Sequence, residues 1–271
     1  WANRVIIAKG SGAPNLKAFF YGAGSVRGLV TPEMWDRGIV MMSAWAANAV
    51  PVAEYTLAQI LFCLKQGWYH ATEIKRQGRF VRKDVAGAYG STVGIVSLGM
   101  IGRKVCALLR NFDVRVIAYD PHVSAEAAKE LGVAVTSLED LFAQSDVVSL
   151  HTPWLKETEG MIQGRHFEMM KPGASFINTA RGAVVKENEM IEILKRRSDL
   201  TAVLDVTHPE PPVAGSPLYT LSNVMLTPHI AGSAGPECRR MGRYMADELK
   251  RYVNGESLKW RITRKQAETM A

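Results

Sequence analysis

From residue 92 onward, the sequence alternates between short apolar runs rich in β-branched residues and amphipathic segments. The apolar runs contain few alternating polar residues, which is typical of strands buried on both faces of a sheet. Alternation of this kind predicts the α/β class, with a doubly wound parallel sheet covered by helices. The predicted strands are residues 92–97, 114–120, 133–136, 147–152, 174–180, 201–206 and 224–229.

The sequences before and after this region follow a different pattern. Two strands are predicted at residues 16–26 and 37–44, with a glycine-rich turn in the first segment. A long amphipathic helix is predicted to begin near Pro51 and to run to residue 77, and another covers residues 235–255. We therefore expect a second, smaller domain built from both chain ends. The predicted bounds are 1–47 plus 231–271 for this domain and 48–230 for the larger one.

A glycine-punctuated turn follows the first strand of the alternating region and opens a helix. It reads Ser97-x-Gly99-x-x-Gly102, and in this context it is typical of the dinucleotide-binding turn of a Rossmann sheet. Gly99 allows the backbone to approach a pyrophosphate, and Gly102 allows the helix to pack closely on the strand. The N–H groups of Met100 and Ile101 are expected to face the phosphates. Ser97 stands where a glycine is usual, and it fits the turn provided that its φ stays negative.

An acidic residue ends the next strand. Asp120 lies 21 residues after Gly99, where a carboxylate accepts both hydroxyls of an adenosine ribose and repels a 2′-phosphate. A lone glycine triplet is equally consistent with a plain strand–helix turn. The strand, the helix and the terminal acid together favour a dinucleotide site, with NAD preferred over NADP.

Polar residues also follow three later strands. Arg181, Asp205 and His229 stand at or just past predicted strand ends, and Glu210 follows in a proline-rich loop. Ligands of open α/β sheets bind beyond the carboxyl ends of the strands, so we expect these residues to converge. An Arg that holds a carboxylate, a His that transfers a proton and a Glu that orients the His suit hydride chemistry on a 2-oxo acid. His208 is a rival for the role of His229.

Composition limits the other function classes. The net charge is +7, but basic residues alternate with acids on predicted helices and no basic run is interleaved with aromatics, so nucleic acid is not expected as a partner. No run of about 18 uncharged apolar residues occurs, so no membrane partner is expected. Cys63, Cys106 and Cys238 lack paired spacing, which argues against disulfides and a metal site and favours a reducing cytoplasm.

Taken in order, these motifs resemble those of the D-isomer-specific 2-hydroxyacid dehydrogenase family, which includes glycerate, phosphoglycerate, lactate and formate dehydrogenases. The resemblance runs from about Pro14 to the C-terminus. The segments that carry it are NLKAFFYGAGSVRG, AANAVPVAEYTLAQIL, GSTVGIVSLGMIGRKV, HTPWLKET, NTARGAVV, LDVTHPEPP and TPHIAG.

The resemblance implies NAD as the cofactor, a flavodoxin-like fold for the smaller, substrate-binding domain, and a homodimer formed through the helix from Val52 onward. It implies that Arg181 binds the substrate, that Glu210 pairs with the base and that His229 is the acid/base. With Arg181, the residues implied to bind substrate are Gly24 and Ser25, through their backbone amides. The further residues implied to line the cofactor are Thr152, Pro153, Thr158, Thr179, Ala180 and Asp205.

The chain departs from the family pattern at several positions. Ser97 replaces a glycine, and Trp154 and Leu155 stand where Leu-Thr is frequent. Glu210 stands where formate dehydrogenases carry Gln, which disfavours that branch. Members of the family carry several dozen more residues before the segment that matches NLKAFF, so the substrate domain is expected to be incomplete at its amino terminus.

The expected function is that of an NAD-dependent 2-hydroxyacid dehydrogenase or 2-oxoacid reductase in the cytoplasm. The alternative is an NAD-sensing interaction protein without catalysis, as in the corepressors that resemble this family. Those corepressors keep the Arg, Glu and His, so these residues alone do not decide between the two functions.

Overall fold

The computed structural model describes residues 13–270. The chain forms two compact units, one made of the residues up to Ala49 together with those from Ser233 onward, and the other of Val50–Gly232. The predicted domain bounds differ from these by two residues at each junction. That the smaller unit binds substrate, and that its fold is flavodoxin-like, stay predictions.

The elements are numbered in chain order. The strands of the described part are β1 (Ala18–Tyr21), β2 (Val40–Ser43), β3 (Thr92–Val96), β4 (Arg115–Tyr119), β5 (Ala134–Val135), β6 (Val147–Leu150), β7 (Ser175–Asn178), β8 (Thr201–Leu204), β9 (Val224–Leu226) and β10 (Arg261–Ile262). The α-helices are α1 (Pro32–Asp36), α2 (Trp45–Leu64), α3 (Gly67–Gln77), α4 (Met100–Leu109), α5 (Ala125–Glu130), α6 (Leu138–Gln144), α7 (Gly164–Met169), α8 (Glu187–Arg196), α9 (Cys238–Val253) and α10 (Arg264–Thr269).

The larger unit contains one seven-stranded sheet in the order β5-β4-β3-β6-β7-β8-β9, and every neighbouring pair is parallel. Each strand falls within one of the seven predicted runs, so the predicted doubly wound fold is confirmed. The strand order reverses between β3 and β6, and ligands of such sheets bind beyond the carboxyl ends of the strands at that point.

Two apolar cores cover the two faces of this sheet. One includes Phe142, Phe167 and Phe176, with α6, α7 and α8 packed over β6 to β8. The other includes Ile60 and Ile95 with side chains of α2, α4 and α5. Full burial of such a side chain contributes about 1.5–3 kcal/mol. The strands therefore need apolar residues on both faces, which explains why they read as nearly continuous apolar runs.

The long helix predicted from Pro51 to residue 77 is wrong in two respects. Helix α2 begins at Trp45, because the alanine-rich first turns favour a helix and bury Ala46 and Ala47. Pro51 therefore lies inside the helix rather than at its start, at the cost of one intrahelical hydrogen bond. The helix then breaks at Gln66, whose φ is 51°, before α3 begins.

Helix α2 is long and apolar enough to cross a membrane by length and composition alone. Half of the relevant stretch is buried inside the protein, as in the core helix of a globular fold. The length of α2 is therefore weak evidence for a membrane span.

The smaller unit contains a three-stranded sheet in the order β1-β2-β10, with β10 antiparallel to β2. Met241 and Met245 of α9 pack against Met42 on one side of this sheet. Glu248 of α9 is fully buried and accepts the backbone N–H groups of Lys259 and Trp260 at 2.9 and 3.0 Å. This carboxylate holds the chain that leads into β10.

Candidate active site

The glycine-punctuated turn joins β3 to α4 at the reversal of strand order. A Cβ on Gly102 would overlap the carbonyl oxygen of Ser97, so only glycine allows the helix to pack this closely on the strand end. The expectation that Ser97 keeps a negative φ is wrong, because its φ is 78°. The Ser97 N–H donates to the carbonyl of Tyr119 at 2.8 Å and the Leu98 N–H donates to Asp120 at 2.7 Å, so the peptide groups on both sides of Ser97 are held by β4 and its end. Serine carries the strain that glycine would avoid.

Asp120 follows β4 and faces this turn. Its Oδ2 accepts the backbone N–H of Leu98 at 2.7 Å and lies 3.5 Å from the Ser97 hydroxyl, while its Oδ1 accepts the N–H of His122 at 2.9 Å. An ionised carboxylate has about four acceptor positions. Asp120 can therefore hold the turn and still accept a hydroxyl of a ribose.

Two features of the turn and its surroundings fit a dinucleotide. Helix α4 begins at Met100 after Gly99, and no side chain caps its first N–H groups. Such uncapped donors attract the phosphates of a ligand. At the end of β6, the Thr152 hydroxyl is buried without a hydrogen-bond partner, so it remains able to bond a ligand. These residues fit NAD.

Arg181 lies three residues beyond β7 in a loop that its neighbours shape. The Asn178 side chain donates to the Arg181 carbonyl at 3.2 Å and accepts the Ala180 N–H at 3.0 Å. One guanidinium nitrogen, Nη1, donates to the carbonyl of Ala180 at 2.6 Å. Burial lowers the pKa of Arg181 from its ordinary value, and the charge of Glu210 opposes this shift. The guanidinium thus lies in the field of Glu210 and stays charged.

His229 and Glu210 form a direct pair. His229 Nδ1 lies 2.7 Å from Glu210 Oε1, with 47% of the His and 42% of the Glu side chain exposed. An ion pair this exposed adds at most about 1 kcal/mol to stability, so its importance is for orientation. With Nδ1 bound to Glu210, the imidazole leaves Nε2 to exchange a proton with a ligand.

The backbone at His229 is strained, with a φ of 55°. Its N–H donates to the carbonyl oxygens of Asp205 and Thr227, both at 3.0 Å. The buried Asp205 carboxylate accepts the N–H groups of Ile230 and Ala231, each at 2.9 Å, and the Thr227 hydroxyl at 2.6 Å. Asp205 therefore fixes the loop that carries His229. Its contact with the cofactor stays a prediction.

Other predicted cofactor residues have clear structural partners. Thr158 donates to the Pro153 carbonyl at 2.6 Å and accepts the Leu155 N–H at 2.9 Å, so its hydroxyl closes its own loop. The Thr179 hydroxyl lies 3.1 Å from that of Thr56, and both residues are buried. Contact of these residues with a cofactor stays a prediction.

Gly24 and Ser25, predicted to bind substrate, belong to the smaller unit and follow β1. The Ser43 hydroxyl donates to the carbonyl oxygens of Ala23, at 2.9 Å, and Gly24. Ser25 accepts the N–H of Arg27 through its own hydroxyl at 3.3 Å. Substrate binding at this loop stays a prediction.

The rival histidine has different surroundings. The ring of His208 packs edge-on against Trp154, with 5.3 Å between ring centroids, and its backbone N–H donates to Glu187. The structure therefore brings Glu210 together with His229. The described residues contain no group of three His, Cys, Asp or Glu placed to hold a metal ion.

Sequence reasoning missed two contributors to this site. A Cβ on Gly182 would overlap the backbone of Thr207 and His208, so this glycine lets the loop of Arg181 cross closely over the loop of Glu210. Its place directly after Arg181 was a possible signal. Tyr55 of α2 lies 2.9 Å from the Thr227 hydroxyl. No local pattern could reveal Tyr55, because its partner is 172 residues away.

Comparisons with known proteins identify the family of the chain. A model of the "D-isomer specific 2-hydroxyacid dehydrogenase, NAD binding domain" matches residues 57–231. The D-3-phosphoglycerate dehydrogenase of Archaeoglobus fulgidus is 34% identical over 245 residues, which make up 90% of this chain and 46% of that protein. The chain thus spans about half the length of the curated relatives it matches.

Solved structures show the same fold. A protein from Thermus thermophilus matches with a TM-score of 0.76 and 30% identity, covering 92% of this chain and 79% of that one. The holo D-mandelate dehydrogenase of Rhodotorula graminis matches with a TM-score of 0.77 and 27% identity, covering 92% and 75%. The fold, the order of the motifs and the matched domain agree, and the chain belongs to the D-isomer specific 2-hydroxyacid dehydrogenase family, whose matched domain binds NAD.

Proposed function

We propose that this protein is an NAD-dependent 2-hydroxyacid dehydrogenase that interconverts a small 2-oxo acid and its 2-hydroxy acid. The observation that carries the proposal is the 2.7 Å contact between His229 Nδ1 and Glu210 Oε1, with the Arg181 guanidinium in the field of the same carboxylate. A cation beside an oriented imidazole suits a substrate that carries both a carboxylate and a reactive carbonyl.

Each side chain has a distinct role in this proposal. Arg181 binds the substrate carboxylate through the guanidinium N–H groups that Ala180 does not use. In the direction of reduction, bound NADH supplies the hydride to C2. His229 donates the proton from Nε2 to the carbonyl oxygen, so that a hydroxyl forms. Glu210 accepts from Nδ1 and holds the imidazole in the orientation that this transfer needs. In oxidation the same imidazole removes the hydroxyl proton.

The cofactor preference follows from Asp120. Its carboxylate lies beside the turn, where a 2′-phosphate would meet a like charge. The proposal therefore includes tighter binding of NADH than of NADPH.

The remaining features of the proposal concern the whole protein. We place it in the cytoplasm as a homodimer that pairs through the helix from Val52 onward, without a nucleic acid or membrane partner. The family resemblance supports the dimer, and the spread of charge along the helices supports the absence of nucleic acid. Sedimentation of the purified protein would test the dimer.

The proposed reaction is tested with purified protein, NADH and a panel containing glyoxylate, hydroxypyruvate and phenylpyruvate, followed by loss of absorbance at the NADH band. His229→Gln should lower kcat by roughly 10²–10⁴, the usual effect of losing a positioned acid/base. His208→Gln is the matched control, since that ring packs on Trp154, and it should keep nearly all of the activity.

Two outcomes would contradict the proposal. Equal losses in both His variants would remove the distinction between the two residues. A folded protein that binds NADH but reduces none of the oxo acids would favour the alternative, an NAD-sensing interaction protein.

A further inference from the structure

The loop around His229 depends on a chain of hydrogen bonds that begins on another element. Tyr55 lies on α2, and its hydroxyl is 2.9 Å from Thr227 Oγ1. Thr227 in turn donates to Asp205 Oδ1 at 2.6 Å. The three side chains thus connect a helix, the end of β8 and the segment just after β9.

The direction of these bonds follows from their chemistry. An ionised carboxylate only accepts, so the single proton of the Thr227 hydroxyl is directed to Asp205. The Tyr55 hydroxyl must therefore donate to Thr227. Burial raises the pKa of the Tyr55 phenol above its ordinary value, and the charge of Asp205 adds to the effect, so the phenol keeps its proton at neutral pH.

Asp205 transmits this constraint to the acid/base. The same carboxylate accepts the N–H groups of Ile230 and Ala231, and the Asp205 carbonyl accepts that of His229. These bonds surround a residue whose φ is 55°. Since a left-handed backbone is unfavourable for histidine, it persists only where its neighbours over-determine it.

We propose that Tyr55 is a positioning residue for the reaction, which holds the loop of His229 through Thr227 and Asp205 and so keeps the imidazole on Glu210. This inference rests on the proposed function for its kinetic consequence, but not for its structural one. Tyr55 does not touch the reacting groups; it acts through the loop.

The structural consequence is tested by native-state amide hydrogen exchange on the protein without substrate. Tyr55→Phe removes only the hydroxyl and should speed exchange of the Ile230 and Ala231 amides roughly tenfold, because their acceptor loses its support. Exchange at Ile177 and Val203, in the middle of the sheet, should not change. The matched control is Tyr69→Phe on α3, which should leave all four amides as in the parent protein.

The kinetic consequence is tested with the oxo acid that the parent protein reduces best. Tyr55→Phe should lower kcat roughly three- to tenfold, as for loss of one neutral hydrogen bond, with the Kd of NADH unchanged within about twofold. Thr227→Val should lower kcat at least as much, and Thr227→Ser should restore it. Combining Tyr55→Phe with Thr227→Val should add nothing, because the two bonds act in series.

Unchanged amide exchange in Tyr55→Phe would overturn the inference whatever the activity. A lower Tm together with weaker NADH binding and faster exchange throughout the protein would also overturn the inference, because these changes would indicate general destabilisation. If the parent protein reduces no oxo acid, the proposed function fails. The exchange experiment still tests whether Tyr55 holds the loop of His229.

Discussion

Within residues 13–270, three non-glycine residues have a left-handed backbone, namely Gln66, Ser97 and His229. Two of them, Ser97 and His229, lie just past strand ends of the seven-stranded sheet, in the proposed nucleotide turn and at the proposed acid/base. Such a conformation costs on the order of 1–3 kcal/mol and is maintained where the direction of the chain matters for a ligand. Two of the three residues with such backbone strain in the described part of the chain therefore lie at the candidate site.

The strain at Ser97 leads to a prediction about stability. The left-handed conformation costs a residue with a Cβ about 1–2 kcal/mol, which exceeds the extra chain entropy that glycine loses on folding. Ser97→Gly should therefore be more stable than Ser97→Ala by about 1 kcal/mol in urea unfolding. Equal midpoints for the two variants would show that the turn relaxes to a negative φ when the serine is replaced.

Among single residues, those at strand ends could be predicted from the sequence. Asp120, Arg181 and His229 follow apolar runs, and parallel strands place their carboxyl ends at one edge of the sheet. The φ of Ser97 could not be predicted, because it depends on the carbonyl of Tyr119 in the neighbouring strand. Tyr55 could not be found either, because side-chain partners so distant in sequence leave no local pattern.

Two loops of the candidate site cross at Gly182 and are in close backbone contact there. The short 3-10 helix Gly182–Val184 follows Arg181, and its glycine approaches the backbone of Thr207 and His208 too closely for any Cβ. The loop that carries the proposed substrate anchor thus rests on the loop that carries Glu210. The close approach fixes the separation of the two functional side chains.

This crossing predicts a large effect from one methyl group. Gly182→Ala should lower the free energy of unfolding by about 1–3 kcal/mol, because the methyl meets backbone atoms that cannot rotate away. The control is Gly242→Ala in α9, where a Cβ meets nothing within 4 Å. That variant should be stabilised by roughly 0.5–1 kcal/mol, as for alanine in an exposed helix.

Urea unfolding of the two glycine variants provides the measurement, and kcat/KM should fall only for Gly182→Ala. A Gly182→Ala protein with the stability and kinetics of the parent would mean that the two loops can separate without consequence.

The strands could be predicted from sequence more closely than the helices could. Buried parallel strands need apolar residues on both faces, so β3 and β7 stand out as short continuous runs. The predicted start of α2 is wrong because proline is frequent at the first position of a helix, whereas Pro51 lies inside this one. The break at Gln66 is signalled only weakly, by Gly67 directly after it, since a single glycine is tolerated inside a helix at a cost of about 1 kcal/mol.

A buried histidine makes the free energy of unfolding of the protein depend on pH. His151 follows β6, is 8% exposed, and lies 3.0 Å from the Ser149 hydroxyl through Nε2. Burial lowers its pKa from 6.5 to about 3. Below pH 6.5 the unfolded chain takes up a proton that the folded protein refuses, so the folded state loses stability as the pH falls from 6.5 towards 3.

The expected slope is about 1.4 kcal/mol per pH unit for this one group. His151→Gln keeps a hydrogen-bonding side chain but does not titrate, so its unfolding free energy should depend less on pH by this amount between about pH 6 and 4. Urea unfolding of both proteins across that range measures the difference. Parallel pH profiles would show that folding does not lower the pKa of His151.

The buried Glu248 has a consequence for the far end of the chain. A protein cut just before Lys259 would retain the proposed Arg, Glu and His, yet this acid would face Arg251 alone, with one oxygen stripped of its amides. A buried carboxylate oxygen that loses its hydrogen-bond donors is destabilising even while the other oxygen keeps its partner. Trimming by a carboxypeptidase to that point would therefore remove β10 and weaken the packing of α9 on β2, while the residues proposed to perform the chemistry stay in the chain.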